Sequence, residues 1–302
     1  MKLPNPLVSI ILPVYNAANF LNDAIDSILT QTFTGFEFII IDDGSTDNSL
    51  EIIQQKASSD ERIIFFSREN KGLTYTLNEM ISKANGQYIA RMDADDISFP
   101  NRLALQVELL ESTKSDICGG HYLAIDEQDK KIDSILVPLS QDSFLVNLSL
   151  TVPFAHGSVM MRKDFLNRHV LHYGGRGYHS AEDYDLWSQL LSLKAKFCNV
   201  DEFIFAYREY ATSISKSNTK SLKNDAKSIS KNIICQNHRQ LESSIGHLVE
   251  QSLSKNEIDN VIGVSLYLFI YKRSIIFTKI MRKLPLRNVL TMLLKFISGR
   301  FF

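Results

Sequence analysis

Short apolar runs alternate with amphipathic stretches along the first hundred residues. Four continuous apolar runs predict buried strands, at residues 8–12, 36–41, 62–66 and 87–92. Between these runs, apolar residues recur every three or four positions, which predicts helices at residues 20–29, 46–57 and 73–84. Strands that alternate with helices of this length indicate an α/β fold, with a mostly parallel central sheet flanked by helices.

The second part of the chain has a less regular pattern. We predict helices at residues 102–110 and 182–193, and strands at residues 116–124, 157–161 and 203–207. A stretch rich in Ser, Lys and Asn at residues 213–232 indicates either a boundary or an exposed helix. The expected organisation is a domain at residues 1–215, with parts at 1–100 and 101–215, followed by a helical appendage at residues 216–302.

Composition narrows the classes of protein that fit this pattern. The 302 residues are long enough for a large core, and a net charge of −1 gives no reason to expect a nucleic-acid partner. Cys118, Cys198 and Cys235 lie far apart and form no C-x-x-C pair, which favours a reducing compartment such as the cytoplasm. Residues 1–6 lack the apolar region of a signal peptide.

The C-terminal region is basic although the whole chain is nearly neutral. No Asp or Glu follows Asp259, whereas eight Lys and Arg residues do. Pro285 divides residues 261–298 into two predicted helices, the second with an apolar face from Leu286 to Ile297. The uncharged run at 260–271 is shorter than the ~20 residues that cross a bilayer. A basic, apolar helix pair suits peripheral binding to an anionic membrane surface; alternatively, it packs on the preceding domain.

Acidic residues follow two of the predicted strands. Asp42 and Asp43 come after the second strand, and Asp93, Asp95 and Asp96 come after the fourth. Ligands of parallel α/β sheets bind at the carboxyl ends of the strands. Carboxylates that converge there repel one another unless a cation or a hydrogen-bond donor is bound, and Mg²⁺ or Mn²⁺ suits such oxygen ligands. Aspartates are also common in turns, but two such clusters in one α/β half favour a site.

Five short segments follow one another in a distinctive order: Val8–Asn16, Gln31–Phe33, Asp42–Ser45, Asn70–Leu73 and Ala90–Asp96. In this order they resemble the family 2 glycosyltransferases of the GT-A fold, over about residues 7–210. The resemblance implies an enzyme that transfers a sugar from a nucleotide-diphosphate sugar, with residues 1–100 binding the nucleotide sugar and residues 101–215 on the acceptor side.

The resemblance also implies roles for residues near the donor. Pro13 and Tyr15 would line the nucleoside pocket, and Asp43, with Asp42 beside it, would receive the edge of the base. Asp93 would face the ribose or the donor sugar.

Further implied roles concern the diphosphate. Asp95 would ligate Mn²⁺ or Mg²⁺, and Lys71 and Arg91 would add positive charge, unless they form ordinary surface pairs. Arg208 would lie near the diphosphate as well. The family often has a His two residues after this Arg, where this chain has Tyr210.

On the acceptor side, Asp183 matches the family's general base, which accepts the proton of the attacking hydroxyl. A helix N-terminus favours the ionised carboxylate. The alternative is a capping role, because Ser180 and Asp183 have the spacing of a capping box. His156 fits a family pattern near the acceptor, but a lone histidine is more often structural, so we assign it no catalytic role.

The expected function is therefore metal-dependent, inverting, non-processive transfer of one sugar. The resemblance favours a UDP-sugar donor and a lipid-linked glycan acceptor in surface-polysaccharide assembly, such as O-antigen or capsule, at the inner face of the membrane. One alternative is a catalytically idle scaffold that binds nucleotide sugars. Another is a nucleotidyltransferase, which would need a glycine-rich, basic loop after the first strand, and residues 15–19 contain neither glycine nor charge.

Overall fold

The computed structural model describes residues 5–178, 180–210, 219–251, 253, 255–272, 274, 276–280 and 283–284. These residues form two compact units. The first unit comprises Met1–Val137 and Phe154–Ser217, and the second comprises Pro138–Pro153 and Asn218–Phe302. The sequence pattern places residues 138–153 in the predicted domain at 1–215, but in the structure they group with the C-terminal helices.

The first unit begins with regular alternation of strands and helices. Its elements in chain order are β1 (Val8–Val14), α1 (Leu21–Leu29), β2 (Phe36–Asp42), α2 (Ser49–Ser59), β3 (Ile63–Ser67), α3 (Leu73–Lys83) and β4 (Tyr88–Arg91). Every residue of β2 and β4 is buried, as expected for strands covered on both faces. The predicted α/β fold class is confirmed.

The remaining elements of this unit are shorter or less regular. They are β5 (Ile97–Ser98), α4 (Arg102–Thr113), β6 (Ile117–Ile125), β7 (Lys131–Ile135), a 3₁₀ turn (His156–Ser158), β8 (Met160–Arg162), α6 (Lys163–Arg168), α7 (Glu182–Ser192) and β9 (Phe197–Arg208). The apolar run at residues 157–161, predicted as one strand, is divided between the 3₁₀ turn and β8. The predicted strand at 203–207 is the end of the longer β9, which pairs along β6.

The sheet has the order β3-β2-β1-β4-β8-β6-β9-β5, and β7 pairs with β6. Strands β3, β2, β1 and β4 are parallel, whereas β8 pairs antiparallel with both β4 and β6. Because β1, β2 and β4 run in the same direction, the loops that follow them emerge at one edge of the sheet. This edge carries the acidic residues singled out in the sequence.

The second unit is helical in its described part. It contains α5 (Gln141–Leu148), α8 (Thr219–Gln236), α9 (His238–Leu248), α10 (Lys255–Lys272) and α11 (Ile276–Ile280). Within the described ranges, no helix has both the length and the apolar character needed to cross a membrane. The predicted amphipathic helix at residues 286–297 lies outside the described residues.

Candidate active site

The loops after β1 and β2 are tied together by side-chain hydrogen bonds. Asn16 has a positive φ of 51°, its N–H donates to Ser45 Oγ at 3.0 Å, and its Oδ1 accepts from the Thr46 N–H at 2.7 Å. Pro13 is half-buried at the end of β1, and the Tyr15 side chain is 54% exposed. The predicted nucleoside-pocket residue Tyr15 is therefore open to a ligand.

Asp42, the last residue of β2, is buried and bonded within the protein. Its Oδ1 accepts from the Ser45 N–H at 3.0 Å, and its Oδ2 accepts from Ser67 Oγ at 2.8 Å. These bonds fix the turn after β2 and link it to the end of β3. The predicted role of Asp42 at the base edge stays a prediction.

Asp43 organises the start of α3. Its Oδ1 accepts from the Lys71 N–H at 2.8 Å, and its Oδ2 accepts from the Gly72 N–H at 2.9 Å. Gly72 has a φ of +84°, which a glycine adopts without steric cost. Arg68 forms an ion pair with the same carboxylate and also donates to Glu79 Oε2 at 2.8 Å. Asp43 is thus held in place by two backbone donors and one cation.

An exposed aromatic ring lies beside this carboxylate. Tyr75 is 48% exposed, and the cationic groups of Arg68 and Lys71 lie 5.1 Å and 4.7 Å from its ring centroid. Lys71 itself is exposed, so its predicted contact with a donor stays open to test. The sequence reasoning missed Arg68 and Tyr75, although both flank the Asn70–Leu73 segment that it identified.

The acidic loop after β4 is held by the end of β9. Arg208 donates from its backbone N–H to Asp96 Oδ1 at 2.7 Å and from its Nε to the Asp95 carbonyl oxygen at 2.7 Å. Tyr210 donates its hydroxyl to Asp95 Oδ2 at 2.8 Å. Asp95 and Asp93 remain partly exposed, whereas Asp96 is buried. Asp93 and Asp95 are therefore accessible to a ligand, whereas Asp96 is buried and bonded to the backbone of Arg208.

Arg208 is itself buried, and its remaining donors are used inside the protein. Nη1 donates to the Asp126 carbonyl oxygen at 2.8 Å, and Nη2 pairs with Asp129 Oδ1 at 2.7 Å. Its guanidinium carbon lies 4.4 Å from the centroid of the Phe20 ring. The predicted place of Arg208 near a diphosphate stays a prediction, and its observed contacts are structural.

Arg91 is a buried cation at the centre of the acidic groups. It forms an ion pair with Asp93, and its side chain is 3% exposed. Its carbonyl oxygen accepts from Arg102 Nη2 at 2.6 Å. Burial lowers the pKa of Arg91, and the nearby groups Tyr173, Asp96, Asp95 and Glu182 oppose that shift. Within the described residues, Arg91 Nε and Asp96 Oδ2 are buried without a hydrogen-bond partner.

Two carboxylates open helix α7, and both have raised pKa values. Burial and the neighbouring Asp183 raise the pKa of Glu182 to about 7. Burial also raises the pKa of Asp183, while a hydrogen bond from the Tyr184 N–H at 2.6 Å and the charge of Arg91 oppose the rise. The N-cap residue is Ala181, and it forms no side-chain capping bond. Ser180 is therefore not the N-cap residue of this helix.

A histidine and aromatic rings lie beside the start of α7. His156 Nε2 is 2.9 Å from the Tyr173 hydroxyl, and the His156 ring centroid is 5.9 Å from that of Trp187. Burial, followed by the charge of Arg91, lowers the pKa of His156 well below its usual range. The lowered pKa favours the neutral form of the His156 imidazole.

The acidic loop is also packed tightly against the 3₁₀ turn. A Cβ built on Gly157 would lie 2.6 Å from the Phe205 ring, 2.9 Å from Asp93 Oδ2 and 3.0 Å from Asp96 Oδ2. Only glycine fits beside these carboxylates without a shift of the neighbouring atoms. The absence of a side chain at Gly157 thus lets the 3₁₀ turn pack closely against the Asp93 and Asp96 side chains.

Comparison with known proteins places this arrangement in a family. Residues 9–179, more than half of the chain, match the family model described as glycosyl transferase family 2. The chain belongs to this family. The segments of the match include the loops after β1, β2 and β4, where Asp43, Asp93 and Asp95 lie.

Relatives of this family 2 glycosyltransferase extend over about two thirds of the chain. EpsE of Bacillus subtilis (strain 168), a glycosyltransferase by name, is 35% identical over 68% of this chain and 73% of its own length. The O-antigen biosynthesis glycosyltransferase WbnJ of Escherichia coli is 31% identical over 70% of this chain and 83% of its own. A glycosyltransferase of Rickettsia felis is 35% identical over 62% of this chain, but only 31% of its own length is covered.

Solved structures of similar fold support the GT-A assignment. TarS 1–349 of S. aureus in complex with UDP-GlcNAc has a TM-score of 0.59 at 16% identity, covering 99% of this chain and 93% of its own. The mannosyltransferase PcManGT of Pyrobaculum calidifontis in complex with GDP-Man and Mn²⁺ has a TM-score of 0.54 at 13% identity, covering 100% and 82%. At these identities the likeness shows the shared fold.

The chemistry available to this family 2 glycosyltransferase follows from the placement of its charges. The acidic loop after β4 and the carboxylates that open α7 are both within electrostatic reach of Arg91. A cation and several carboxylate oxygens therefore lie near the Asp183 carboxylate, whose pKa burial raises. These are the elements required to balance a charged leaving group and to accept a proton from a hydroxyl.

Proposed function

We propose that this glycosyltransferase transfers one sugar from a UDP-sugar to a hydroxyl of a glycan acceptor, with inversion at the anomeric carbon and without processive extension. The observation that carries the proposal is the position of Arg91, whose charge acts both on the Asp95–Asp96 loop and on Asp183. A donor bound at the loop after β4 and an acceptor bound beside the start of α7 would both lie close to Arg91.

Asp183 acts as the general base in this proposal. As the acceptor oxygen attacks, its bond to the anomeric carbon forms, the bond from that carbon to the diphosphate oxygen breaks, and the hydroxyl proton passes to Asp183. A single displacement on the face opposite the leaving group inverts the anomeric centre. Arg91 favours the ionised form of Asp183, which is the form that accepts the proton.

The nucleotide would bind where the loops after β1 and β2 meet. Tyr15 and Tyr75 offer exposed rings to the nucleoside, and the buried Asp43 offers its carboxylate to the base. UDP is favoured because the similarly folded TarS is described with UDP-GlcNAc. GDP is the competing nucleotide, since PcManGT is described with GDP-Man.

Mn²⁺ or Mg²⁺ would be held by Asp95 together with the donor. Asp95 is a partly exposed oxygen ligand, and the buried Asp96 Oδ2 beside it lacks a hydrogen-bond partner within the described residues. Nucleotide-bound Mg²⁺ needs only one or two carboxylates besides the phosphate oxygens, so these residues fit such an ion. When bound, the metal would stabilise the negative charge of the departing diphosphate.

The acceptor proposed is a lipid-linked glycan of surface-polysaccharide assembly. Support comes from the relative named for O-antigen biosynthesis and from the basic residues that follow Asp259. On α10, Phe269 and Ile270 are 42% and 45% exposed, and Lys272 is exposed next to them. Apolar and basic groups side by side suit the surface of an anionic membrane.

The function is tested by a screen of nucleotide sugars in the presence of Mn²⁺, Mg²⁺ or EDTA, with release of nucleoside diphosphate as the measured product. Lipid-linked and free oligosaccharides are supplied as acceptors. Release from a UDP-sugar, lost in EDTA, is the expected result. Asp183→Asn should lower kcat by roughly 100- to 10,000-fold, the usual contribution of a general base.

The matched control is Asp164→Asn, because Asp164 lies on α6 with a side chain that is 68% exposed and paired with Arg168. This variant should retain wild-type turnover. Full activity in Asp183→Asn would eliminate Asp183 as the base. Binding of UDP without turnover on any acceptor would favour the idle scaffold, and full activity in EDTA would exclude the metal.

Membrane association is tested separately by co-sedimentation with vesicles. Binding to vesicles that contain an anionic phospholipid, absent with purely zwitterionic vesicles, is expected. Phe269→Ser combined with Ile270→Ser should weaken it, because buried apolar area contributes to interfacial binding. Equal sedimentation with both vesicle types would contradict electrostatic recognition.

A further inference from the structure

Tyr210 lies two residues beyond the end of β9 and contacts the acidic loop after β4. Its hydroxyl donates to Asp95 Oδ2 at 2.8 Å, across a sequence separation of 115 residues. Asp95 is the carboxylate at which the proposed function places a metal. The phenol occupies one of the two oxygens of this carboxylate and thereby restricts its rotation.

The Tyr210 ring is supported from another part of the sheet. Its centroid lies 5.5 Å from that of Phe20, the residue that precedes α1, and the rings are tilted by 45°. The guanidinium of Arg208 lies over the same Phe20 ring at 4.4 Å. Arg208 also donates from Nε to the Asp95 carbonyl oxygen at 2.7 Å. Asp95 is therefore fixed by its backbone through Arg208 and by its side chain through Tyr210.

We propose that Tyr210 is a positioning residue that orients the Asp95 carboxylate for a divalent cation, a role that rests on the proposed function of Asp95. Partners that hydrogen-bond to a metal-ligating carboxylate fix its orientation before the metal arrives. Without such a partner, the carboxylate must lose rotational freedom on binding, and the affinity for the cation falls.

The test measures Mn²⁺ affinity directly, by the electron paramagnetic resonance signal of free Mn²⁺ in a titration with and without UDP. The proteins compared are the wild type, Tyr210→Phe, Asp95→Asn and Tyr122→Phe. Tyr210→Phe keeps the ring on Phe20 and removes only the hydroxyl. It should weaken Mn²⁺ binding about 10-fold, the lower end of the effect of losing such a partner.

Tyr122→Phe is the matched control, because it also removes one tyrosine hydroxyl from the same unit, at a ring that packs on Tyr207 rather than on Phe20. Its Mn²⁺ affinity should equal that of the wild type. Asp95→Asn should lose more affinity than Tyr210→Phe, since it removes the charge of the ligand itself.

A kinetic measurement separates positioning from general damage. In Tyr210→Phe, the Mn²⁺ concentration for half-maximal activity should rise about 10-fold, while kcat at saturating Mn²⁺ stays within about twofold of the wild type. A loss of kcat that excess Mn²⁺ does not restore would overturn the proposal. Unchanged Mn²⁺ affinity in Tyr210→Phe would overturn it as well.

The outcomes also distinguish this proposal from the proposed function. Wild-type Mn²⁺ binding that Asp95→Asn removes and Tyr210→Phe leaves intact contradicts only the role of Tyr210. Absence of wild-type Mn²⁺ binding even with UDP contradicts the metal in the proposed function, and with it the role of Tyr210. Should Tyr210→Phe not fold, Phe20→Leu keeps the hydroxyl but removes its support, and unchanged Mn²⁺ affinity there would overturn the proposal.

Discussion

The backbone N–H of Arg208 donates to Asp96 Oδ1 at 2.7 Å, although the two residues are 112 positions apart in the sequence. This bond attaches the end of β9 to the acidic loop that follows β4. The side chain of Arg208 adds bonds to Asp95 and Asp126 and an ion pair with Asp129. The loop that presents Asp95 is therefore held by an element from the other half of the sheet.

Replacing Arg208 with Met should destabilise the protein. The change removes several charged hydrogen bonds from a buried position, and we expect the free energy of unfolding to fall by roughly 2–4 kcal/mol. Chemical denaturation measures this value. Arg168→Met is the control, because Arg168 is 57% exposed and its pair with Asp164 contributes at most about 1 kcal/mol. Unchanged stability with lost UDP affinity would instead support direct contact between Arg208 and the diphosphate.

Glu182 should make the stability of the protein depend on pH. Its pKa rises from an ordinary 4.5 to about 7 on folding, so between these values the folded protein holds a proton that the unfolded chain has lost. Stability therefore falls as pH rises through this window. Glu182→Gln removes this titration. As the pH rises from 4.5 to 7, the wild type should lose about 1–3 kcal/mol of unfolding free energy that the variant does not lose.

Denaturation curves at several pH values test this prediction. Glu108→Gln, at an exposed position on α4, removes one carboxylate without this burial and should change little across the same window. Equal pH dependence in the wild type and Glu182→Gln would show that another group is responsible.

Arg91 should set the acid limb of the pH–rate profile. Its positive charge lowers the pKa of Asp183, which burial raises. Arg91→Met removes this charge, so Asp183 should stay protonated to higher pH. The acid limb of the kcat profile should therefore shift to higher pH. Arg91→Lys keeps the charge and should hold the limb closer to its wild-type position. An unmoved limb in Arg91→Met would contradict this electrostatic link, even if kcat fell.

Gly157 should not tolerate a side chain. An alanine Cβ would contact the Phe205 ring at 2.6 Å and Asp93 Oδ2 at 2.9 Å. We expect Gly157→Ala to lower the free energy of unfolding by about 1–3 kcal/mol, as overpacking does, and to reduce kcat by displacing Asp93. Thermal denaturation and turnover are the measurements.

Gly246→Ala is the matched control for this substitution. Gly246 lies within α9, and a Cβ built there meets no atom within 4 Å apart from the adjacent backbone of its own helix. Alanine should therefore stabilise the helix by up to about 1 kcal/mol, because glycine loses more backbone freedom on folding. Equal effects of Gly157→Ala and Gly246→Ala on stability would show that the close contacts around Gly157 do not prevent a side chain there.

Neighbouring residues show where local sequence stops being informative. Asp42 and Asp43 are adjacent and equally acidic, yet Asp42 accepts from Ser45 and Ser67, and Asp43 accepts from Lys71 and Gly72. Asp42 ends β2 and Asp43 follows it in the loop, so the two side chains reach different neighbours. The motif located the pair, and only the packing of β3 and α3 distinguished its members.

The sequence by itself determined the α/β class, the positions of the first strands and helices to within three residues, and the edge at which the acidic residues gather. It did so because buried parallel strands and amphipathic helices leave local, periodic patterns of apolar residues. Only the tertiary structure decided that Arg208 and Tyr210 hold the Asp95 loop, that Arg68 pairs with Asp43, and that residues 138–153 join the helical unit. These contacts join residues that are distant in the chain or on different elements. The local periodicity of apolar residues carries no information about such pairs.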